Sequence, residues 1–292
     1  MFDKLGELHI LFDIFNAYEG INNLYSINAN AGSRPVEVEQ PVIDMLSAAV
    51  EAYHITGGMT NVAAGSVFRV WHEHRLIGAQ TPDYATLPSV DELIRASKLT
   101  NIEDLIIDRA NNTVFLANPG MSLDVGSIAK GFAVELAMEA VIEAGISAAL
   151  ISAGGHVVAH GVPGGREAWS AGIQNPDISP GAAQMIDAVA FTDASLSISG
   201  GYERFFEVDG KFLGHIIDPV TLMPADRFKQ VAVLHQSSWM SDILSTALFI
   251  LPQEEGLQIA LEHGAEVLWV DFEDEWIATA GYKRISAEFG EN

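Results

Sequence analysis

Residues 121–145, MSLDVGSIAKGFAVELAMEAVIEAG, decide how the chain is read. From Val125, apolar residues recur at 128, 129, 132, 133, 136, 137, 140, 141 and 144. That spacing of three, one, three, one belongs to a helix with a single apolar stripe. Glu135, Glu139 and Glu143 take the other face, and Gly145 stands where a left-handed C-terminal residue is wanted. The helix start is less ordinary. On the plainest reading Asp124 is its N-cap. Gly126 and Ser127, however, leave backbone N–H groups open, and such groups at a helix start favour an anion. Lys130, about one turn in, lies on the side that reaches the same anion. Capping accounts for the aspartate and leaves the lysine and the bare backbone unexplained.

Outward from this segment, helices and strands mix without strict alternation. Residues 5–25 carry apolar positions Leu8, Leu11, Phe12, Phe15 and Tyr18 and are expected to be helical. A second helix is expected over 40–56, with Pro41 near its start and the Gly57-Gly58 pair ending it. The segment 61–77 is ambiguous. Ser89 with Glu92 three residues on marks a capping box and a short helix over 88–98. Two strands flank the turn at Ala110–Asn112. After the 121–145 segment come a buried strand AALISAGG (148–155), then HVVAHG, then strand-like runs at 168–173 and 188–193. Asp209-Gly210 is a two-residue turn signal inside RFFEVDGKFLGHIID, a hairpin. VAVLH precedes a helix expected over 242–251; a helix at 254–263 and a strand pair close the chain. Frequent hairpins and flanking helices give an α+β chain with mostly antiparallel sheet. With no long linker or repeat, 1–292 is expected to be one domain, internally bilobal.

Composition narrows the function. Half of the 292 residues are hydrophobic (49%) and 18% are charged, which is ample for a core. Thirty-nine acids against 15 bases give a net charge of −24, which repels a nucleic-acid backbone. An acidic protein that handles phosphates needs a local cation. The sequence has no cysteine, so disulfides, iron–sulfur sites and thiolate zinc sites are excluded. No basic n-region with a cleavage site opens the sequence, and the longest uncharged stretch is broken by glycines and histidines. The chain is expected to be soluble and without a membrane span.

Four further places can carry chemistry. His215 and Asp218 close the second strand of the 204–218 hairpin, and Pro219 stops it. The plain reading is turn chemistry; the functional one is a histidine at a strand end acting as general base. In SSWMSDILSTALFIL, Asp242 and Thr246 are one helical turn apart and offer two hard oxygens suited to Mg²⁺ or Ca²⁺. The competing reading is an Asp N-cap with Thr246 bonded back to a carbonyl. His72-Glu73-His74 lacks the spacing of a zinc motif and reads as a solvated segment. Gly154-Gly155 follows a buried strand and permits close backbone approach to a ligand or a helix.

Together and in order, these motifs resemble the ApbE family of FAD:protein FMN transferases over most of the chain. LDVGSIAKGFAVELA is similar to the family's D-x-G-[GAS]-I-A-K-G-[YF]-A segment, and ISAGGHVVAHG to its N-A-G-G-[DN] turn. SGGYERFFEVDGKFLGHIIDP resembles S-G-x-Y-x-R-x-[FY] followed by H-I-[IL]-D-P, and SDILSTALFIL resembles A-D-A-L-[AS]-T-A-L-F. The resemblance implies an ApbE-like, T-fold-like architecture. It also implies a protein that binds FAD with Mg²⁺ and moves FMN onto a Thr or Ser hydroxyl of an acceptor flavoprotein, releasing AMP. In that picture Asp242, the Thr246 hydroxyl and an oxygen at Ser127 hold the metal. Asp124 and Lys130 contact FAD, with Gly154, Gly155 and Ile217 nearby. Trp71, His72 and Glu73 occupy the place of a family loop that packs on the flavin, and Tyr25 stands near an early ring-stacking position. His215 matches the histidine that deprotonates the acceptor.

The chain departs from the family pattern at Ser152 (usually Asn), His156 (usually Asp or Asn) and Leu222 (often Gly). The family's signal or lipoprotein segment and first strand are not seen at the start. The extracytoplasmic, membrane-associated location expected for the protein therefore rests on the resemblance. Two other activities fit the same residues: Mg²⁺-dependent cleavage of FAD to FMN and AMP, and FAD binding without catalysis.

Overall fold

The first expected helix breaks at Asp13. In the computed structural model, which describes residues 1–177, 179, 181–202 and 204–289, α1 runs only over Phe2–Leu11. The Asp13 carboxylate then accepts the Phe15 and Asn16 N–H groups, the Asn16 amide and the Tyr18 hydroxyl. A side chain that satisfies local N–H groups offers the backbone an alternative to the helix, so the periodicity through Tyr18 is overridden. Asn23 restarts it, capping α2 (Leu24–Ala29) in a reciprocal box with Ser26.

Through the next hundred residues the expectations hold well. β1 (Val36–Glu37) leads into α3 (Gln40–Ile55), which has Pro41 in its first turn. The ambiguous segment is helical: α4 covers Gly65–Gln80. Ala64 bridges Ser122 in parallel, and a Cβ on Gly65 would stand 2.7 Å from the Leu123 carbonyl carbon, so only glycine lets α4 start there. Ser89 and Glu92 form the expected capping box of α5 (Val90–Ser97). β2 (Leu105–Asp108) and β3 (Thr113–Leu116) turn through Asn112 at φ +50°. Then α6 (Ala129–Glu143) is followed by β4 (Ala149–Ala153), β5 (His156–His160), β6 (Trp169–Gln174), β7 (Met185–Phe191) and β8 (Ala194–Gly200). The hairpin β9 (Phe205–Val208) and β10 (Lys211–Gly214) turns at Asp209-Gly210 as expected. β11 (Gln230–His235), α7 (Ser238–Ile250), α8 (Gln253–Glu262), β12 (Glu266–Val270), β13 (Trp276–Ala278) and α9 (Ala280–Ile285) complete the chain.

The chain divides into two compact units. One comprises Asp3–Ala129 and Arg204–Pro224. It holds the antiparallel sheet β1-β3-β2 and the β9–β10 hairpin, with Val67, Trp71, Leu93, Phe206, Leu213 and Ile217 in a common core. The other comprises Lys130–Glu203 and Ala225–Asn292, with Met1–Phe2. Its antiparallel sheet runs β13-β12-β11-β8-β5-β4, beside the pair β6-β7. Against β8 and β11 lies α7, nearly all of whose residues are buried. Among the described residues every pairing between the strands β1–β13 is antiparallel, so the α+β architecture stands.

Two helix starts differ from the expectation. α6 begins at Ala129 rather than Val125, after a turn in which Ile128 and Ala129 both donate to the Val125 carbonyl. α7 begins at Ser238 with Ser237 as its cap, which places Asp242 one turn inside the helix rather than at its N-cap. The Glu135 carboxylate of α6 also accepts from Ser237 Oγ and from the Ser238 and Trp239 N–H groups, completing that first turn.

Candidate active site

The loop before α6 supplies the first group, all within the unit that contains Asp3–Ala129. Asp124 N–H donates to Val62 O at 2.9 Å, and its Oδ1 accepts the Gly126 N–H at 2.9 Å. The carboxylate thus caps a turn ahead of the helix rather than the helix itself. Burial among protein atoms pushes the Asp124 carboxyl above its ordinary value; the Gly126 N–H, His72 when protonated, and the charges of Arg204 and Arg75 act in the opposite sense. Ser127 lies in the same turn, half-buried.

His72 and Glu73 sit on α4, not on a loop, because the 65–80 segment is a regular helix. His72 Nδ1 lies 2.8 Å from an Arg75 Nη, and its ring meets that of Phe15 at 5.7 Å. Burial, with Arg75 beside it, holds His72 below the usual imidazole value, so the ring is neutral near pH 7. Glu73 is exposed. Trp71 points the other way: it is 4% exposed, donates Nε1–H to Leu222 O at 2.8 Å and packs near Phe206. The ring offered outward on this turn is that of His72, while the indole belongs to the core. The sequence alone does not reveal Arg75 and Arg204 as site residues; the i, i+3 spacing of His72 and Arg75 is the signal it carries for the first.

Tyr25, 39% exposed, opens α2 and donates its N–H to Asp13 O. His215 follows β10 directly and is exposed, between Gly214 and the buried Ile216. Ile217 is 4% exposed and bridges Pro224. Asp218 makes the turn beyond it, accepting the Val220 and Thr221 N–H groups and closing on Leu222 N–H with its carbonyl.

In the other unit, α6 and α7 meet at Gly131. A Cβ there would stand 2.5 Å from Ser238 O and 2.7 Å from Asp242 Cβ. Glycine therefore lets the Gly131 N–H reach Asp242 Oδ2 at 2.8 Å. Lys130 Nζ lies 3.1 Å from Asp242 Oδ1, and Ser197 Oγ makes a longer contact of 3.4 Å with the same oxygen. Asp242 is 2% exposed. Gly154 and Gly155, at φ +57° and +81°, turn β4 into β5 beside Lys130; a Cβ on Gly154 would rest 3.8 Å from its Cδ. Thr246 Oγ1 donates weakly to the Asp242 carbonyl at 3.4 Å. His156 is wholly buried, with Nε2 between Ser238 Oγ (2.8 Å) and Ser195 Oγ (2.9 Å). Ser152 is an exposed residue of β4, paired with Val157. Among the described residues no helix is long and apolar enough to cross a membrane.

The sites that emerge are a carboxylate with nearby arginines and a neutral histidine in one unit, and a buried carboxylate held by an ammonium in the other. Comparison with known proteins gives them a context. A curated FAD:protein FMN transferase of Treponema pallidum (strain Nichols) is 32% identical over 284 residues, 92% of this chain and 76% of that protein. One of the same name from Klebsiella pneumoniae (strain 342) is 30% identical, over 84% of this chain and 76% of its own. Among solved structures, the ApbE protein of Thermotoga maritima MSB8 aligns with a TM-score of 0.84 over 97% of this chain and 89% of its own. The flavin transferase ApbE of Vibrio cholerae aligns at 0.79, over 97% and 88%. Both are 24% identical and establish the fold. The family model described as the ApbE family matches residues 3–269, so the chain belongs to the ApbE family.

Proposed function

We propose that the protein is an FAD:protein FMN transferase that requires Mg²⁺, attaches FMN to a Thr or Ser hydroxyl of an acceptor flavoprotein and releases AMP. Family membership and the names of the curated relatives support the transfer of FMN. The observation that carries the reading is the buried Asp242 carboxylate held by Lys130 in a protein of net charge −24. Burying a carboxylate is costly unless a cation accompanies it. Lys130 is that cation here, and its side chain keeps 46% of its exposure, so it can turn outward toward a phosphate.

The donor set suits Mg²⁺. Asp242 has two oxygens with about four lone-pair sites, and the Gly131, Lys130 and Ser197 donors engage three of them. Among the described residues no cluster of three or more acidic, His or Cys side chains could hold a metal alone. Mg²⁺ commonly completes such a sparse set with phosphate oxygens and water. Asp242 and the Thr246 hydroxyl would hold it, with Ser127 assigned by the resemblance. When bound, it neutralises charge on the pyrophosphate. Asp124 and Lys130 bind FAD, and Gly154 and Gly155 bring backbone close to the Lys130 stem. Tyr25, His72 and Glu73 face the flavin, backed by Trp71 and Ile217. His215 takes the proton of the acceptor hydroxyl. That oxygen bonds to the FMN phosphorus while the bond from this phosphorus to the AMP phosphate breaks, and AMP leaves. An extracytoplasmic location accompanies this reading.

Incubation with FAD and Mg²⁺, with and without an acceptor protein bearing a Thr in a flavinylation motif, tests it. Covalent FMN on the acceptor is the expected result. AMP formed equally without acceptor indicates a hydrolase, and bound FAD with neither product indicates a binding protein.

A further inference from the structure

We infer that Arg75 is a positioning residue for FAD: it holds His72 as an Nε2–H donor to an acceptor atom of the flavin ring. This rests on the FAD reading above. The tautomer follows from the chemistry of the partner. An Arg75 Nη lies 2.8 Å from His72 Nδ1, and a guanidinium has only donors. Nδ1 must therefore accept, which leaves the hydrogen of the neutral ring on Nε2. The i, i+3 spacing along α4 builds this contact into the helix. Among the described residues Arg75 is the hydrogen-bond partner the ring has, and Nε2–H is left for a ligand.

Phe15, 65% exposed, stands beside this ring, with centroids 5.7 Å apart and planes at 38°. The turn at Asp13 presents it, since Asp13 Oδ1 accepts the Phe15 N–H at 2.6 Å. An exposed aromatic face next to an imidazole N–H suits a flat heteroaromatic ligand that carries carbonyl oxygens and unprotonated ring nitrogens. The surrounding charges keep the donor state. Burial first, then the charges of Arg75 and Arg204, lower the affinity of His72 for a second proton; Asp124 and Glu73 oppose them and are outweighed. Protonation would also place a hydrogen on Nδ1, the atom to which Arg75 donates. A nitrogen that already carries its hydrogen takes no proton, so His72 orients the flavin and is not the base for the acceptor hydroxyl.

The test uses the full chain carrying ¹⁵N-histidine, observed by NMR at the imidazole nitrogens, with the His72 signals identified by their loss in His72→Phe. In the free parent protein at pH 7 we expect a protonated Nε2 and an unprotonated Nδ1, and added FAD should shift the Nε2–H proton downfield. Arg75→Met should raise the pH at which His72 takes up its second proton. His72→Phe, which keeps a ring and removes the donor, should weaken FAD binding by about 3–10-fold. A parent protein with the hydrogen on Nδ1 overturns the inference, and that measurement needs no variant. An Arg75→Met protein whose His72 titrates at the parental pH removes the role of Arg75. FAD that binds without moving the Nε2–H signal overturns the donor role and leaves the FAD reading standing. A parent protein that binds no FAD ends that reading itself.

Discussion

Lys130 Nζ and Asp242 Oδ1 stand 3.1 Å apart, yet the carboxylate side chain is 2% exposed and the ammonium side chain 46%. The pair is therefore asymmetric: Asp242 depends on its cation, while Lys130 can stay solvated without its anion. Lys130→Ala should cost about 1–2 kcal/mol, below the value for a fully buried pair because solvent reaches the lysine. Mg²⁺ alone, with no phosphate for Lys130 to hold, should raise the unfolding temperature of this variant more than that of the parent, since the metal replaces the lost charge. Asp242→Ala should abolish the Mg²⁺ response and the metal-dependent activity, and Thr246→Ala, which removes a neutral ligand that water can replace, should weaken both less. Thermal unfolding across an Mg²⁺ series checks all three; an Asp242→Ala protein with parental Mg²⁺ dependence removes the assignment.

Asp13 makes the stability pH-dependent. Burial works to raise its carboxyl, but bonds from the Asn16 side chain, the Phe15 N–H, the Tyr18 hydroxyl and the Asn16 N–H outweigh it and hold the group below the usual value. A carboxylate depressed on folding stabilises the native state above its unfolded value of about 3.9, and this contribution is lost as pH falls through the folded value. Asp13→Ala should therefore cost about 1–2 kcal/mol at pH 7, with the gap from the parent closing below pH 3.9. Denaturant unfolding at pH 7 and in acid measures it. A gap that does not change with pH assigns the effect to packing.

The same aspartate shows where sequence reasoning stops. α3 and α5 were legible because their signals are local: Pro41 at one start, Ser89 with Glu92 at the other. The 5–25 periodicity misleads because it records which face is apolar and not that Asp13 collects the N–H groups. At α7 the true start depends on Glu135, 102 residues away from Ser237, so Asp242 looks like a cap from sequence alone. Local sequence marks Lys130 by its place at the helix start and Asp242 by its spacing to Thr246. Their pairing, and the glycine contact that permits it, required the fold. Arg75 and Arg204 act on Asp124 through tertiary proximity, which no local pattern encodes.

Leu222 offers a test of backbone strain. Its φ is +62°, a left-handed conformation that costs an L-residue about 1–2 kcal/mol and glycine little. Glycine is frequent at this position in the resembling motif. The Leu222 side chain also packs against the core containing Trp71 and Ile217, so a single substitution mixes two effects. Comparing Leu222→Ala with Leu222→Gly removes the packing loss from both. The glycine variant should be the more stable by about 1 kcal/mol. Urea midpoints decide; an alanine variant at least as stable would show that the turn carries no such strain.

His215 and Ile217 lie two residues apart and separate chemistry from structure. Ile217 is 4% exposed in the core with Trp71, Phe206 and Leu213, so Ile217→Ala should cost about 2–5 kcal/mol. Any activity lost in that variant should follow the folded fraction. His215 is exposed just beyond β10. Its replacement by alanine should leave stability within about 0.5 kcal/mol and leave FAD bound. As the proposed base for the acceptor hydroxyl, it should nonetheless slow FMN transfer by about 10²–10⁴-fold. The two variants thus give opposite patterns when unfolding midpoints, FAD binding and single-turnover transfer are measured side by side. Transfer at the parental rate by a folded His215→Ala protein would assign proton removal to another group.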